Sequence, residues 1–158
     1  MKLLILSDSH HSIDRLNKLL SIIEEEKIDI IIHAGDNFRD SVYLKEKSKK
    51  PVIGVIGNCD FENTDREIEF ELEGLKFFLT HGHRYSVKYG PEILASKGQE
   101  IGANIVVYGH THIKDDTYMG GLLILNPGSL SQPRDGSRGS YVVMDVDNGS
   151  YQYNYFYI

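Results

Sequence analysis

The sequence contains very little cysteine and no long apolar run. A single cysteine in 158 residues excludes an intrachain disulfide framework and a zinc site made of cysteines alone, and it agrees with a reducing compartment. The apolar run at 3–6 is shorter than the roughly 7–15 apolar residues of a secretory signal and the roughly 20 of a membrane helix. We therefore expect a cytoplasmic protein without a membrane segment.

Basic residues are fewer than acidic residues. Seventeen Lys and Arg residues face 23 Asp and Glu residues, for a net charge of −6. Such a chain lacks the broad cationic field that stable binding to nucleic acid or to an anionic membrane requires. Hydrophobic residues make up 41% and charged residues 25%, which is typical of a globular protein. The length predicts one domain over 1–158.

Several common catalytic motifs are missing. The chain has no Gly-x-Gly-x-x-Gly, no Gly-x4-Gly-Lys-Ser/Thr and no His-Glu-x-x-His. These absences argue against dinucleotide binding, P-loop chemistry and the common zinc proteases.

Hydrophobic spacing predicts an α/β fold. The order strand, helix, strand at the start of the chain indicates a parallel βαβ unit, and three later strand pairs joined by Gly-containing turns indicate hairpins. Two packed sheets with helices outside them follow from this order. Strands are predicted at 2–6, 28–32, 51–56, 67–72, 75–80, 105–108, 117–119, 122–125, 141–146 and 151–158, helices at 12–26 and 91–99, and a short helix followed by a basic loop at 38–50.

The last predicted strand presents tyrosines on one face. This pattern is typical of an edge strand with half-buried side chains, and a self-association surface that would make a homo-oligomer is the alternative.

Polar residues follow five of the predicted strands. Ligand sites of α/β sheets form beyond the carboxyl ends of the strands, so these clusters are expected to meet at one rim. The clusters are Asp8-Ser9-His10, Gly35-Asp36-Asn37, Gly57-Asn58-Cys59-Asp60, Thr80-His81-Gly82-His83 and Gly109-His110-Thr111-His112.

Spacing within the clusters supports convergence. Asp8 and His10 are two residues apart, as are His110 and His112, and residues so spaced in an extended segment point the same way. The glycines of the clusters allow tight turns and close approach of the backbone to a ligand.

The donor set suits two metal ions. Seven donors are too many for one tetrahedral metal but fit two metals if one carboxylate bridges them. The mixture of oxygen and nitrogen favours Mn²⁺, with Zn²⁺, Fe or Ni as alternatives, over Ca²⁺ or Mg²⁺. A hydroxide between two metals hydrolyses phosphoesters in known sites. The donors are Asp8, His10, Asp36, Asn58, His81, His110 and His112.

The five ordered motifs resemble those of the calcineurin-like metallophosphoesterase superfamily over residues 1–134. Cys59, the 126–129 stretch Asn-Pro-Gly-Ser and the following Pro133-Arg134 are closest to its small YfcE-like phosphodiesterases. The resemblance implies an αββα sandwich of two mixed sheets and a small phosphodiester substrate. It also implies two metals bridged by Asp36, one held with Asp8, His10 and His112 and the other with Asn58, His81 and His110.

One position departs from that pattern. Much of the superfamily has His after the Gly-Asn pair, where this chain has Cys59. A thiol, with a pKa of about 8.5, is a poorer proton donor at neutral pH than an imidazole, so we expect more reliance on the metals and on the leaving group. Burial of Cys59 as a small packing residue is the alternative.

The remaining candidates are assigned as follows. Asp36, Asn58, His83 and Cys59 are expected to act in catalysis, and Asn58, His83 and Arg134 to contact substrate. For His83 the alternative is to orient His81, and for Arg134 an exposed loop.

Four further polar residues surround these motifs. We expect a core or supporting role for His33, a surface position for His11 and hydrogen bonds between Asp60 and a ligand or the backbone. Asn37 is expected to orient water or to form a turn.

Two other classes of function remain open. The same fold serves as a protein-binding scaffold in a retromer subunit, and a metal sensor without turnover is the third reading. Loss of metal ligands would favour the scaffold, but all seven positions are filled here.

Overall fold

The computed structural model describes residues 1–158 as ten strands and three helices. Two short 3₁₀ helices, at His83–Tyr85 and Val87–Tyr89, lie between β5 and α3. No helix combines the length and apolar character needed to cross a bilayer. The strands and helices are β1 Lys2–Leu6, α1 Ile13–Glu25, β2 Ile30–His33, α2 Phe38–Ser48, β3 Val52–Gly54, β4 Glu67–Leu72, β5 Leu75–Thr80, α3 Glu92–Glu100, β6 Ile105–Val107, β7 Lys114–Met119, β8 Leu122–Pro127, β9 Ser140–Asp147 and β10 Ser150–Tyr157.

The strands form two mixed five-stranded sheets, as predicted. The first has the order β10-β9-β1-β2-β3, with β1, β2 and β3 parallel and β9 and β10 antiparallel. The second has the order β4-β5-β6-β8-β7, with β5, β6 and β8 parallel. Each sheet therefore contains three adjacent parallel strands whose carboxyl ends lie on the same side.

Alternation along β1 shows how the layers are built. Leu3 and Ile5 lie in the core between the sheets, whereas Leu4 and Leu6 pack on the outer face of the first sheet against α1. A strand buried on both faces reads as a continuous apolar run, which explains the sequence of β1. Helix α3 covers the outer face of the second sheet, so the αββα architecture is confirmed.

Some predicted boundaries are wrong. Helix α2 runs for 11 residues, so the basic run predicted as a loop is partly helical. Strands β7 and β8 are longer than predicted because pairing continues to Lys114 and Pro127. Strand β3 is only three residues long.

The tyrosines of β10 face the molecule. Strand β10 is the edge of the first sheet, and Tyr151, Tyr153 and Tyr155 pack against the core between the sheets. The Tyr155 hydroxyl lies 2.8 Å from the carbonyl oxygen of Asp115 and 3.0 Å from that of Asn126, and its single hydrogen is shared between them. The tyrosine face of β10 is therefore explained by the prediction of an edge strand with half-buried side chains.

Candidate metal centre

The polar clusters meet at the carboxyl ends of the parallel strands of both sheets. The backbone amide of Asp8 donates to the carbonyl of Gly35 at 3.0 Å, which joins the loops after β1 and β2. The amide of His110, after β6, donates to Asp8 Oδ2 at 3.0 Å. This second bond crosses from one sheet to the other and brings the two halves of the rim together.

Four donors form a compact group, the Asp8 cluster, made of Asp8, His10, Asp36 and His112. One ligand atom from each lies within 4.8 Å of the others. His112 Nε2 is 3.1 Å from Asp8 Oδ1, and His10 Nε2 is 3.3 Å from His112 Nε2. An ion with bonds of about 2.0–2.2 Å to nitrogen and oxygen fits between atoms so spaced.

A second group adjoins the first through Asp36. It joins His81 and His110, which lie side by side, with Asn58, which lines the same cavity as His110, and we call it the His81 cluster. His81 Nε2 lies 3.3 Å from Asp36 Oδ1, and the rings of His81 and His110 are 5.2 Å apart. Asn58 and Cys59 line the same 250 Å³ cavity as Asp36 and His110. Asp36, a member of the Asp8 cluster, therefore also borders the His81 cluster.

The backbone at these residues is left-handed rather than extended. Asp8, His10, His110 and His112 all have positive φ, between 42° and 69°. The extended backbone expected for the two pairs is therefore wrong. Asp8 and His10 still lie in one cluster, whereas His110 and His112 separate. His110 lies beside His81, whereas His112 lies beside His10. One His-x-His segment thus contributes to both clusters.

Two glycines permit close approach without needing an unusual φ. A Cβ at Gly57 would overlap the Asp36 carboxylate, and a Cβ at Gly109 would overlap the Ser7 hydroxyl. Any larger residue at either position would displace a side chain of the rim.

Two histidines are oriented by backbone carbonyls. His81 Nδ1 donates to the carbonyl of Ala34 at 2.7 Å, and His112 Nδ1 donates to the carbonyl of Gln132 at 2.7 Å. Because a carbonyl only accepts, each Nδ1 must carry the proton, which leaves the Nε2 lone pair of the neutral ring free. This arrangement is typical of metal-ligating histidine.

Four buried side-chain atoms have no hydrogen-bond partner, namely Ser7 Oγ, Asp8 Oδ1, His81 Nε2 and His83 Nδ1. Two of them, Asp8 Oδ1 and His81 Nε2, belong to candidate metal ligands and lie 4.0 Å from each other. Such atoms are rare in folded proteins and call for an explanation. A divalent cation would satisfy both, so the residues present fit a metal.

Charge in the site agrees with this fit. Burial opposes ionisation of Asp36, but the neighbouring His81 outweighs it, so the pKa of Asp36 lies below its usual value. Burial and the charge of His81 lower the pKa of His110 to about 4. Burial opposes protonation of His81, but its contact with Asp36 and the charge of Asp8 outweigh burial and raise the pKa of His81. A divalent cation at Nε2 would displace that proton, because metals bind carboxylates in the ionised form and imidazoles in the neutral form.

Asp60 holds two of the site loops together. Its carboxylate accepts from the amides of Gly57 at 2.7 Å, Asn37 at 2.9 Å and Phe38 at 2.7 Å. Of the two partners expected for Asp60, a ligand or the backbone, the structure shows the backbone. Asn37 is the residue that precedes α2, with φ of 77°.

Asp40 of α2 links the loop that carries His10 to the loop that carries Asp36. Its Oδ2 accepts from the Ser9 hydroxyl at 2.6 Å and from the amide of His11 at 2.9 Å, and from the Asn37 side chain at 3.3 Å. The sequence does not indicate this role, since Asp40 lies inside a helix and belongs to no motif.

Two other histidines take part in this link. Buried His33 donates from Nε2 to the Ser9 hydroxyl at 2.9 Å, and His11 is exposed beside Asp40. Both lie where the sequence placed them, one in the core and one at the surface.

Replacing Asp40 with alanine is expected to weaken binding of Mn²⁺ about 10–100-fold, because residues that orient ligands have effects of this size. Calorimetric titration of the metal-free protein with Mn²⁺ measures it. Asp14→Ala is the matched control, since Asp14 is an exposed acidic residue in the first turn of α1. Equal affinities of the two variants would contradict the role of Asp40.

The remaining candidates lie around the mouth of the site. Cys59 is exposed, so its expected burial as a packing residue is wrong. Partial loss of water around its thiol and the nearby Asp36 raise the pKa of Cys59 to about 11. Arg134 is exposed and lines the cavity. His83 lies 5.5 Å, ring to ring, from His81. Lys88 also lines the cavity; it was missed because it lies in a 3₁₀ segment without a motif.

Comparison with known proteins agrees with this site. At 32% identity the chain matches the probable metallophosphoesterase YsnB of Bacillus subtilis, over 94% of this chain and 86% of that protein. It is also 32% identical to the phosphodiesterase YfcE of Escherichia coli, over 93% of this chain and 89% of that protein.

A solved structure has the same fold. It is a conserved protein of Streptococcus pneumoniae described as a predicted phosphoesterase, with a TM-score of 0.83 and 28% identity, covering 99% of this chain and 88% of that one. The profile of the calcineurin-like phosphoesterase superfamily domain matches residues 1–149. The chain belongs to the calcineurin-like phosphoesterase superfamily.

Proposed function

We propose that the protein is a phosphodiesterase that works with two divalent metal ions, Mn²⁺ in preference to Zn²⁺, Fe or Ni, on a small phosphodiester. The observation that carries the proposal is the position of Asp36, whose two carboxylate oxygens lie beside different clusters. Oδ2 is 3.9 Å from His10 Nε2, and Oδ1 is 3.3 Å from His81 Nε2. A carboxylate so placed suits a bridge between two ions.

The ligand sets follow from the two clusters. One ion would be held by the Asp8 cluster, which includes Asp36. The other would be held by the His81 cluster together with Asp36. Seven donors then supply eight bonds, since only Asp36 contributes twice.

In such sites the bound ions lower the pKa of water and neutralise charge on the phosphoryl oxygens. The chain's own residues hold the substrate around them. Asn58, exposed at the cavity, offers an amide donor. The exposed Arg134 offers a guanidinium that suits a phosphate oxygen. His83 is placed beside His81 and His110, within 6.0 Å ring to ring, and we assign it to the substrate.

The direct test is hydrolysis of bis(4-nitrophenyl) phosphate by protein stripped with a chelator and then titrated with Mn²⁺. Activity should be absent after stripping and return with metal, and elemental analysis should find two ions per chain. Bound metal without turnover of any phosphoester would instead favour a binding scaffold or a metal sensor.

Replacing Cys59 with histidine is expected to raise turnover of esters whose leaving group is a weakly acidic alcohol. Cys59 is exposed at the cavity, and an imidazole there would add a proton donor close to the departing oxygen. Rates with 4-nitrophenyl and alkyl leaving groups measure the change, with Cys59→Ser as the control. Unchanged rates and an unchanged preference between monoesters and diesters would show that Cys59 is not where that donor acts.

A further inference from the structure

A second cavity lies beside the metal centre. It has a volume of about 520 Å³, against 250 Å³ for the cavity over the metal-centre residues. Lys88 and Arg134 line both. The two cavities therefore adjoin, and these two cations stand at the boundary between them.

Both boundary cations are available to a ligand. None of the lysine or arginine ion pairs of the chain involves Lys88 or Arg134, and both side chains are exposed. Two unpaired cations beside a phosphoester site favour a phosphate group at the boundary.

Beyond the boundary, the charges of the cavity wall are satisfied internally. Lys114 is paired with Asp135. Asp115 accepts from the Tyr108 hydroxyl at 2.7 Å and from the Thr117 hydroxyl at 2.6 Å. Because Lys114 and Asp115 already have partners within the protein, this wall of the cavity suits an uncharged part of a ligand.

The wall also offers apolar surface. Val87 and Tyr108 are buried, and Pro91 and Ile113 line the same cavity. Apolar walls with a few polar groups are typical of sites for organic ligands, which range from about 300 to 1,000 Å³. The cavity falls in this range, whereas the one over the metal-centre residues is smaller.

We propose that the substrate is a phosphodiester with one large, uncharged, ring-bearing arm of nucleoside size, which occupies the cavity between Val87 and Thr117 while Lys88 and Arg134 hold the phosphate. The inference rests on the proposed function, because it places the phosphate at the metal centre. It adds the class of substrate and a positioning role for Lys88.

The test measures binding rather than turnover. Calorimetry with the Mn²⁺-loaded protein compares thymidine 5′-monophosphate, which carries a nucleoside arm, with methyl phosphate, which carries none. We expect the nucleotide to bind at least 10-fold more tightly. Lys88→Gln should weaken both ligands, since it removes a contact to the phosphate that they share.

Three variants address the arm alone. Thr117→Phe should fill the cavity and abolish the preference for the nucleotide, with methyl phosphate unaffected. Thr117→Ser should preserve the preference, because it keeps the hydroxyl that donates to Asp115 and leaves the cavity open. Ile113→Ser, at a position that is 44% exposed, should weaken the nucleotide several-fold and leave methyl phosphate unchanged.

The outcomes separate the two proposals. Equal affinities for the two ligands, or a preference that survives in Thr117→Phe, would overturn the inference alone if bis(4-nitrophenyl) phosphate is still hydrolysed. Failure to bind either ligand, together with no hydrolysis, would overturn both.

Discussion

Replacing Asp36 with alanine is expected to abolish phosphodiester hydrolysis and to lower the metal content below one ion per chain. The carboxylate lies beside both clusters, so its loss affects both proposed metal positions at once. The fall in kcat should exceed the roughly 10²–10³-fold that follows removal of one electrostatic stabiliser. Hydrolysis of bis(4-nitrophenyl) phosphate and elemental analysis of the same preparation measure the two effects.

The control for Asp36 is a histidine from one cluster only. His112→Ala removes a ligand of the Asp8 cluster and leaves the His81 cluster complete, so about one ion per chain should remain. A metal content of two in Asp36→Ala, or equal losses in both variants, would contradict a bridging carboxylate.

Replacing Asp60 with alanine is expected to lower the free energy of unfolding by about 2–4 kcal/mol. Three backbone amides lose their acceptor, and a buried donor left unsatisfied costs about 1–3 kcal/mol, reduced here because water reaches part of the site. The loops that carry Asp36 and Asn58 would also loosen, so metal affinity should fall about 10–100-fold. Urea denaturation and metal titration measure these changes.

Glu62→Ala is the matched control for Asp60. Glu62 is an acidic residue two positions further on, and its ion pair with Arg39 is at the surface, where Arg39 is 81% exposed. Its loss should change stability by less than about 0.5 kcal/mol. If the two variants behave alike, Asp60 does not join the loops.

The positions of the ligand candidates were predictable because they depend on strand order. Asp8, Asp36 and His81 each follow a strand with a strong apolar pattern, and parallel strands end on the same side of a sheet. The local conformation was not predictable in the same way. Tertiary hydrogen bonds, such as that from the amide of His110 to Asp8, accompany the left-handed backbone there, and no local residue pattern reports them.

The residues that surround the ligand candidates were the hardest to predict from the sequence. Asp40 acts from inside α2, and Lys88 from a short 3₁₀ helix, so neither has a spacing that indicates its position. Each is brought to the site by packing of elements distant in the chain. The boundaries of α2 and β7 were also wrong, because a charged helix and a polar strand carry weak periodicity.

The donors are divided between the two halves of the sandwich. Asp8, His10 and Asp36 follow strands of the first sheet, whereas His81, His110 and His112 follow strands of the second. Any cation bound by both sets would cross-link the two sheets. An ion that binds only the folded chain raises the free energy of unfolding by about 2.7 kcal/mol when its concentration is a hundred times its dissociation constant. Starvation for divalent metal would then lower the stability of the folded protein as well as its rate of catalysis.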